Sequence, residues 1–337
     1  MTIKDIARLS GYSIGTVSRV INDHPDVSDE ARARIQEIIR QENFQPNRNA
    51  KHLKQVRSSA ITIIVKGTSN LFLNTLLEKT QQYLLSSGEE ANVVFAEEKE
   101  NEVRQAIQIC SERNPKGIIF LGGALENFRE DFSQISIPCV LISGWAEDLG
   151  FENLSSFCTD DYEGGRKAME QLIVRGHKNV LIVGGFRSDE AGQVSSQRLH
   201  GAVSALSEHG ISFSMNSDYV ESTFSMEDGY SKTLPIIRNN PEITGIFALS
   251  DMIAIGVMRA AKDLGKKIPE DISVIGYDGI TYASYTVPRL TTVSQDISRL
   301  AEEGVNDILF RISYKRPPVH KRIRCEVSDS ESIAAAM

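Results

Sequence analysis

The apolar positions fall into two textures along the chain. Over residues 1–58 they recur at the three- and four-residue spacing of short helices. Ile3, Ile6 and Ala7 mark one face, Val17, Val20 and Ile21 a second, and Ile35, Ile38 and Ile39 a third. Thr2 is placed to N-cap the first helix, with Asp5 at the capping-box position. Ser13 is placed to cap the second, and Ser28 the third, with Asp29 and Glu30 in its first turn. Gly11 suits the turn between the first two helices, and Pro46 a stop to the third. A short fourth helix is expected over about 47–54.

From residue 60 short apolar runs predict strands at 60–65, 91–96, 117–121, 139–142, 180–183, 245–248 and 273–276. Helical patterns lie between most of them, at 71–87, 102–113, 162–175, 198–209, 226–238 and 253–264, with a late helix at 297–310 and a last strand at 320–327. Repeated β-α alternation implies parallel sheets with helices on both faces. The units are too many for one compact sheet, so two lobes are expected, with a ligand at the carboxyl ends of the strands in the cleft between them.

Composition narrows the class. A length of 337 residues suggests two or three domains, and 41% hydrophobic with 24% charged residues fits a soluble globular protein. No apolar run reaches the roughly 20 residues of a bilayer crossing. The first residues, Met-Thr-Ile-Lys-Asp, lack the basic-then-apolar layout of a secretory signal, so a cytoplasmic location is expected. Cys110, Cys139, Cys158 and Cys325 form no CxxC pair, and the six histidines do not cluster at ligand spacings. Reduced thiols, no metal and no cofactor are expected.

The net charge of −8 argues against a nucleic-acid partner until its distribution is read. Residues 1–58 carry ten Lys/Arg against seven Asp/Glu, which leaves 27 basic and 38 acidic residues for the remainder. A basic head on an acidic body attracts phosphates while the body stays soluble.

The segment TIKDIARLSGYSIGTVSRVIN, Thr2–Asn22, has the form of a helix-turn-helix. If Val17, Val20 and Ile21 bury one side of its second helix, the other presents Ile14, Gly15, Ser18 and Arg19 to base edges in a major groove. Thr2, Ser13, Thr16 and Asn22 are short hydrogen-bonders at helix ends, suited to phosphates. Periodicity alone leaves open a small helical interaction domain. The wording of the segment, with Val27-Ser28, Phe44-Gln45-Pro46-Asn47 and Ala50-Lys51-His52-Leu53, closely resembles the head of the LacI/GalR repressor family. The resemblance continues through the body in Arg175-Gly176-His177, Arg198 with Gly201, Ser250-Asp251 with Ala254 and Gly256, Val274-Ile275-Gly276-Tyr277-Asp278 and Leu290-Thr291-Thr292-Val293.

That resemblance implies an all-α helix-turn-helix head (1–46), a hinge helix and linker (47–58), and an α/β body of periplasmic-binding-protein fold with parallel sheets flanked by helices (59–337). Its N-lobe would take about 59–159 and 294–317, and its C-lobe about 160–293 and 318–337, with crossovers near Asp160, Val293 and Pro317-Pro318. The pair after the capping serine, here Ile14-Gly15, largely selects the operator; neither side chain hydrogen-bonds, so Arg19 is expected to carry more of the readout. Ser28 would join the DNA contacts. In the hinge, Asn47 would hold the backbone, Ala50 would allow close approach, and Leu53 would wedge into the minor groove. Read without the family, Leu53 is one apolar residue packing on the body.

In the body the resemblance makes Arg198 a hydrogen-bonding fork for hydroxyls or a carboxylate, Asp251 and Asp278 acceptors for sugar hydroxyls, and Phe72, Phe224 and Trp145 cleft walls. Packing is the competing role for the three aromatics, and a helix N-terminal charge for Asp251. Departures from the family pattern include Ser250 before Asp251, Gly279 after Asp278, and Glu326 in the last strand in place of an arginine. The expected partners are palindromic operator DNA, a sugar-like effector and a second copy of the chain; the expected function is a repressor of carbohydrate-utilisation genes, not an enzyme. Control by a corepressor or a phosphorylated partner protein is the alternative, and a sugar-binding protein without gene control a more distant one. An enzyme would draw on Asp160-Asp161, Asp251 and Asp278, but no GxSxG, Walker loop or Gly-x-Gly-x-x-Gly fingerprint stands at the strand ends.

Overall fold

A computed structural model describes residues 3–21, 26–42, 60–185 and 193–336. The chain divides into a unit ending at Ser58 and a larger one beginning at Ser59.

The first unit packs three helices, α1 (Ile3–Ser10), α2 (Ile14–Ile21) and α3 (Asp29–Gln41). Their apolar stripes meet: Ile6, Val17, Val20, Ile35 and Ile38 form its buried core. Gly11 sits at φ +77°, in the left-handed region that favours glycine, and turns the chain from α1 to α2. Pro46 and the expected hinge helix lie outside the described residues.

In the second unit the chain runs β1 (Ile61–Lys66), α4 (Leu71–Ser86), β2 (Ala91–Ala96), α5 (Glu102–Arg113), β3 (Ile118–Leu121), α6 (Leu125–Asp131), β4 (Cys139–Ile142) and β5 (Leu154–Thr159). It crosses to a second lobe through α7 (Asp161–Ile173), β6 (Val180–Val183), α8 (Val194–Glu208), β7 (Tyr219–Val220), α9 (Met226–Asn239), β8 (Gly245–Ala248), α10 (Asp251–Asp263), β9 (Ser273–Asp278) and β10 (Thr291–Ser294). It returns as α11 (Ile297–Ser313) and β11 (His320–Ile323), and ends in the second lobe with β12 (Glu326–Ser328).

The sheet orders are β11-β5-β4-β3-β1-β2 and β12-β10-β9-β8-β6-β7. Among the described residues the strands pair in parallel except β10 with β12. Helices cover both faces, which is why β3, β4, β6 and β8 are buried at every position and read as unbroken apolar runs. The direction in which successive strands are added reverses between β1 and β3, and between β6 and β8; these are the switch points where a ligand crevice opens.

The last strand expected at 320–327 is two strands in two sheets. His320–Ile323 pairs in parallel with β5, whereas Glu326–Ser328 pairs antiparallel with β10. The third crossover is therefore at Arg324-Cys325 and not at Pro317-Pro318, and the N-lobe extends to residue 323. Continuous alternation through the join hides the change of partner. Strands β5 and β10 escaped the apolar-run reading because they carry Ser and Thr. Both are buried, their hydroxyls satisfied: Ser155 accepts from the Val319 amide at 3.0 Å, and Ser156 from the Ala146 amide at 3.1 Å. The short helix α6 and the two-residue β7 also lacked a legible period.

Candidate functional site

Two surfaces bear on function, one in each unit. In the head, Ser13 caps α2 by accepting from the Thr16 amide at 3.1 Å, and its hydroxyl also meets the Thr16 hydroxyl at 2.9 Å. With Val17 and Val20 buried, α2 turns Ile14, Gly15 and Arg19 outward, and Ile14 is 46% exposed. An uncovered isoleucine beside a glycine and an arginine is a surface with no role in the head's own packing. Ser18 is half-buried on the same helix. The Arg19 guanidinium pairs with Asp26 at 3.3 Å, a partner that sequence patterning did not suggest. Both ends are exposed, so the pair contributes on the order of 0–1 kcal/mol and yields readily to another anion. Ser28 caps α3 by accepting from the Ala31 amide at 3.4 Å. Thr2, Asn22, Asn47, Ala50 and Leu53 lie outside the described residues.

In the body, a cavity of about 240 Å³ opens at the carboxyl ends of both sheets. The N-lobe offers Lys66 at the end of β1 and Asn70 beyond it, Gly122 and Gly123 after β3, and Ser143 after β4. The C-lobe offers Gln193, Ser195 and Arg198 around the start of α8, Phe224 before α9, and Asp278 at the end of β9. Phe72, in the first turn of α4, also lines it.

Arg198 is the centre of this wall and is only 3% exposed. Its Nε donates to Asp161 at 2.8 Å, and its Nη1 to the Leu249 carbonyl at 2.7 Å and to Asp278 at 3.4 Å. The guanidinium lies 3.7 Å over the Tyr277 ring. Its Nη2 bonds to no described residue, on a fork whose Nε and Nη1 are held in place beside the cavity. The alignment depends on α7 and α8 packing backbone to backbone. A Cβ on Gly165 would overlap the Arg198 carbonyl, and one on Gly201 the Tyr162 carbonyl.

Asp278 holds φ +116°, an arrangement rare outside glycine, and Ser143 across the cavity holds +68°. Asp278 accepts from the Gln295 amide at 2.7 Å. Burial pushes its carboxyl up to about 6, against the opposing pull of Arg198. Burial likewise raises Asp161, with Arg198 again opposing.

Asp251 and Trp145 correct the expectations placed on them. Asp251 does not line the cavity. As the first residue of α10 it is fully buried, accepting from the Thr292 hydroxyl at 2.6 Å and the Ile280 amide at 2.8 Å. It thereby pins Ile280, a C-lobe residue buried in the N-lobe's apolar cluster. Burial and the neighbouring Asp278 charge hold its carboxyl well above the ordinary range. Trp145 stands outside the main cavity because Ser143 and Gly144, at the turn after β4, take the cleft-facing positions. Its ring meets His320 edge-on at 5.9 Å and carries the Arg322 guanidinium at 4.4 Å, beside a separate space of about 160 Å³ near Asp160 and Asp161. Glu326 is exposed on β12 and also lies away from the cleft.

Two cleft features went unread in the sequence. Asp161 figured there only as half of an acidic pair. Lys66 donates to Glu102 at 2.8 Å; that carboxylate is fully buried and also accepts from the Ala124 amide at 2.7 Å and Asn127 at 2.9 Å. Among the described residues, no cluster of His, Cys, Asp and Glu is placed to hold a metal, and no helix is long and apolar enough to cross a membrane. With Asp161 and Asp278 both engaged by Arg198 and Asp251 enclosed, the arrangement suits reversible hydrogen-bonding better than proton transfer.

Residues 2–47 match the family model of bacterial regulatory proteins of the lacI family, and residues 169–333 that of a periplasmic binding protein-like domain. The chain is 34% identical over 317 residues to the HTH-type transcriptional regulator MalR of Clostridium butyricum, covering 93% of this chain and 92% of that one. It is 31% identical over 313 residues to the ribose operon repressor of Haemophilus influenzae, covering 92% of each. The lac repressor dimer bound to operator and the anti-inducer ONPF superposes with a TM-score of 0.74 over 99% of both chains; at 22% identity this likeness concerns the fold. A helix-turn-helix head, a two-sheet body with its cavity at the strand ends, and relatives matched along nearly their whole length place the chain in the LacI family, as a DNA-binding transcriptional regulator and not an enzyme.

Proposed function

We propose that this regulator is a cytoplasmic repressor that binds a two-fold symmetric operator as a homodimer, and that a small sugar-like effector in the inter-lobe cleft releases it. The observation that carries the effector reading is Arg198: a buried guanidinium fixed on three sides, with Nη2 bonded to no described residue, on a cavity that also holds Asp278. Donor and carboxylate side by side match adjacent hydroxyls, one accepting and one donating. Phe72 and Phe224 supply apolar wall for a ring face. A relative named for the ribose operon, and a structural neighbour held on operator as a dimer, support the sugar class and the assembly.

The effector contacts both lobes, Lys66 and Asn70 from one, Arg198 and Asp278 from the other, so its binding energy depends on lobe orientation. That dependence is passed to the two heads through the segments that follow Gln41. In the head, Ser13 and Thr16 hold the backbone of the DNA, Ile14 and Gly15 touch base edges without hydrogen bonds, and Arg19 exchanges Asp26 for a guanine.

The test is to select binding sites from a library of randomised palindromic duplexes at low salt, then follow anisotropy of the enriched duplex during titration with ribose, maltose, galacturonate and related sugars. At least one sugar is expected to weaken binding, and Arg198→Lys to abolish the response while leaving sugar-free binding intact. Enrichment of no duplex at any salt concentration would refute the operator reading. A response that survives in Arg198→Lys would refute the placement of the effector.

A further inference from the structure

A second groove, of about 570 Å³, lies on the hinge and not in the cleft, where the second and third crossovers pass at Ser294–Asp296 and Lys321–Glu326. Four cations line it: Arg299, Lys321, Arg322 and Arg324. Against them stand Asp296 and Glu326 in the lining, and Glu303, which pairs with Arg299 at 3.2 Å and Lys321 at 2.5 Å. Arg322 faces the Trp145 ring, and Arg324 has no hydrogen bond or ion pair to a described residue. The setting sharpens the contrast. Beyond residue 58 the chain holds 38 acidic and 27 basic residues, yet residues 315–324 carry five Lys/Arg and no acid.

We propose that this groove is a second ligand site, for a small phosphate-bearing anion, whose occupancy is felt in the cleft through Gln295. Guanidinium and ammonium groups without enough carboxylates to satisfy them suit a compact dianion with several acceptor oxygens. Gln295 lines the groove and is only 7% exposed. Its side-chain amide donates to Asp278 of the cleft at 2.7 Å, and its carbonyl accepts from the Thr159 hydroxyl at 2.5 Å on the first crossover. The first and second crossovers and the cleft carboxylate thus meet around one side chain, in a groove that the third crossover also lines. An anion bridging Arg324 to Lys321 and Arg299 ties the third crossover to β11 and α11, and favours whichever lobe orientation brings them closest. Coupling of this kind is reciprocal, so the anion and the cleft ligand change each other's affinity by the same factor.

Trp145 is the only tryptophan and reports on the groove through Arg322. Full-length protein is titrated with sodium phosphate, and separately with pyrophosphate, against sodium chloride at matched ionic strength and pH, while Trp145 emission is followed. A saturable change with the phosphates and none with chloride is expected. The exposed double variant Lys321→Gln/Arg324→Gln, with a melting temperature checked against the parent, is expected to bind at least about tenfold more weakly. The charge-preserving Lys321→Arg/Arg324→Lys pair is expected to restore binding. An equal response to chloride overturns the proposal. So does a phosphate response unchanged in Lys321→Gln/Arg324→Gln, which would locate the anion at Lys66 or Arg198 instead. Neither operator nor sugar enters the measurement, so its outcome is independent of the cleft reading.

Discussion

Replacing Arg198 with methionine keeps most of the side-chain volume and removes the charge. Asp161 and Asp278 then remain buried at 6% and 5% exposure, with their shared cation gone. Removing one partner from a buried ion pair costs about 3–5 kcal/mol, because the other is left uncompensated. For a body of this size each kcal/mol lowers Tm by roughly 2–4 °C, so a loss of about 6–20 °C is expected at pH 8. The pH dependence follows in sign. Burial already raises both carboxyls in the parent, and Arg198 opposes that rise. Without it their folded pKa values climb further above the unfolded value of about 3.9. A group raised in the fold binds its proton more tightly there than in the unfolded chain. Its stabilising contribution is therefore present at low pH and lost as pH rises through the folded pKa. The deficit of Arg198→Met relative to the parent should shrink as the pH falls from 8 to 5.5, below the Asp278 value of about 6. Differential scanning calorimetry of both proteins at the two pH values measures it. A deficit that is flat or larger at pH 5.5, or a loss below about 2 °C at pH 8, would refute the view that Arg198 is the neutralising centre of this wall.

Gly165→Ala drives a methyl against the Arg198 carbonyl, so α7 and α8 must separate; a cost of about 1–3 kcal/mol is expected in urea unfolding, with sugar affinity falling as the Asp161–Arg198 pair loosens. Ser13→Ala removes the cap of α2 and should cost about 0.5–2 kcal/mol, read as earlier melting of the head. Asp26→Ala should leave stability within about 1 kcal/mol because the Arg19 pair is exposed, whereas Arg19→Ala should cost about 1–3 kcal/mol of discrimination at one base pair in a competition assay.

Much of this was legible in the chain because the two textures have different periods. Helix faces at Val17/Val20 and Ile35/Ile38, and strands at 118–121 or 180–183, need only local pattern, and burial on both sheet faces makes the latter unmistakable. Strands whose hydroxyls are satisfied by distant residues, such as Ser155 and Ser156, look like loop until those partners are known. The cleft shows the same division. Arg198, Phe72, Phe224 and Asp278 stand at helix starts or strand ends that topology delivers to the cavity. Asp251 has an equivalent place in sequence but an inward rotamer, fixed by Thr292 and by Gly276, whose missing Cβ leaves room for the carboxylate. Trp145 and Lys66 depend on contacts with His320, Arg322 and Glu102, which are 36 or more positions away and carry no local signature.

The return of the chain through α11 and β11 bears on how the protein is made. The N-lobe is encoded first, yet its apolar interior draws on Leu300, Ala301, Val305 and Ile308 and on the edge strand ending at Ile323. The C-lobe's strands from β6 to β10 emerge as one uninterrupted stretch and wait only for the β12 edge and the last turn of chain, where Ser332, Ile333 and Ala334 pack on the lobe. On the ribosome the second lobe can therefore consolidate while the first still exposes apolar surface, and premature termination before residue 297 would leave that surface open to chaperones and proteases.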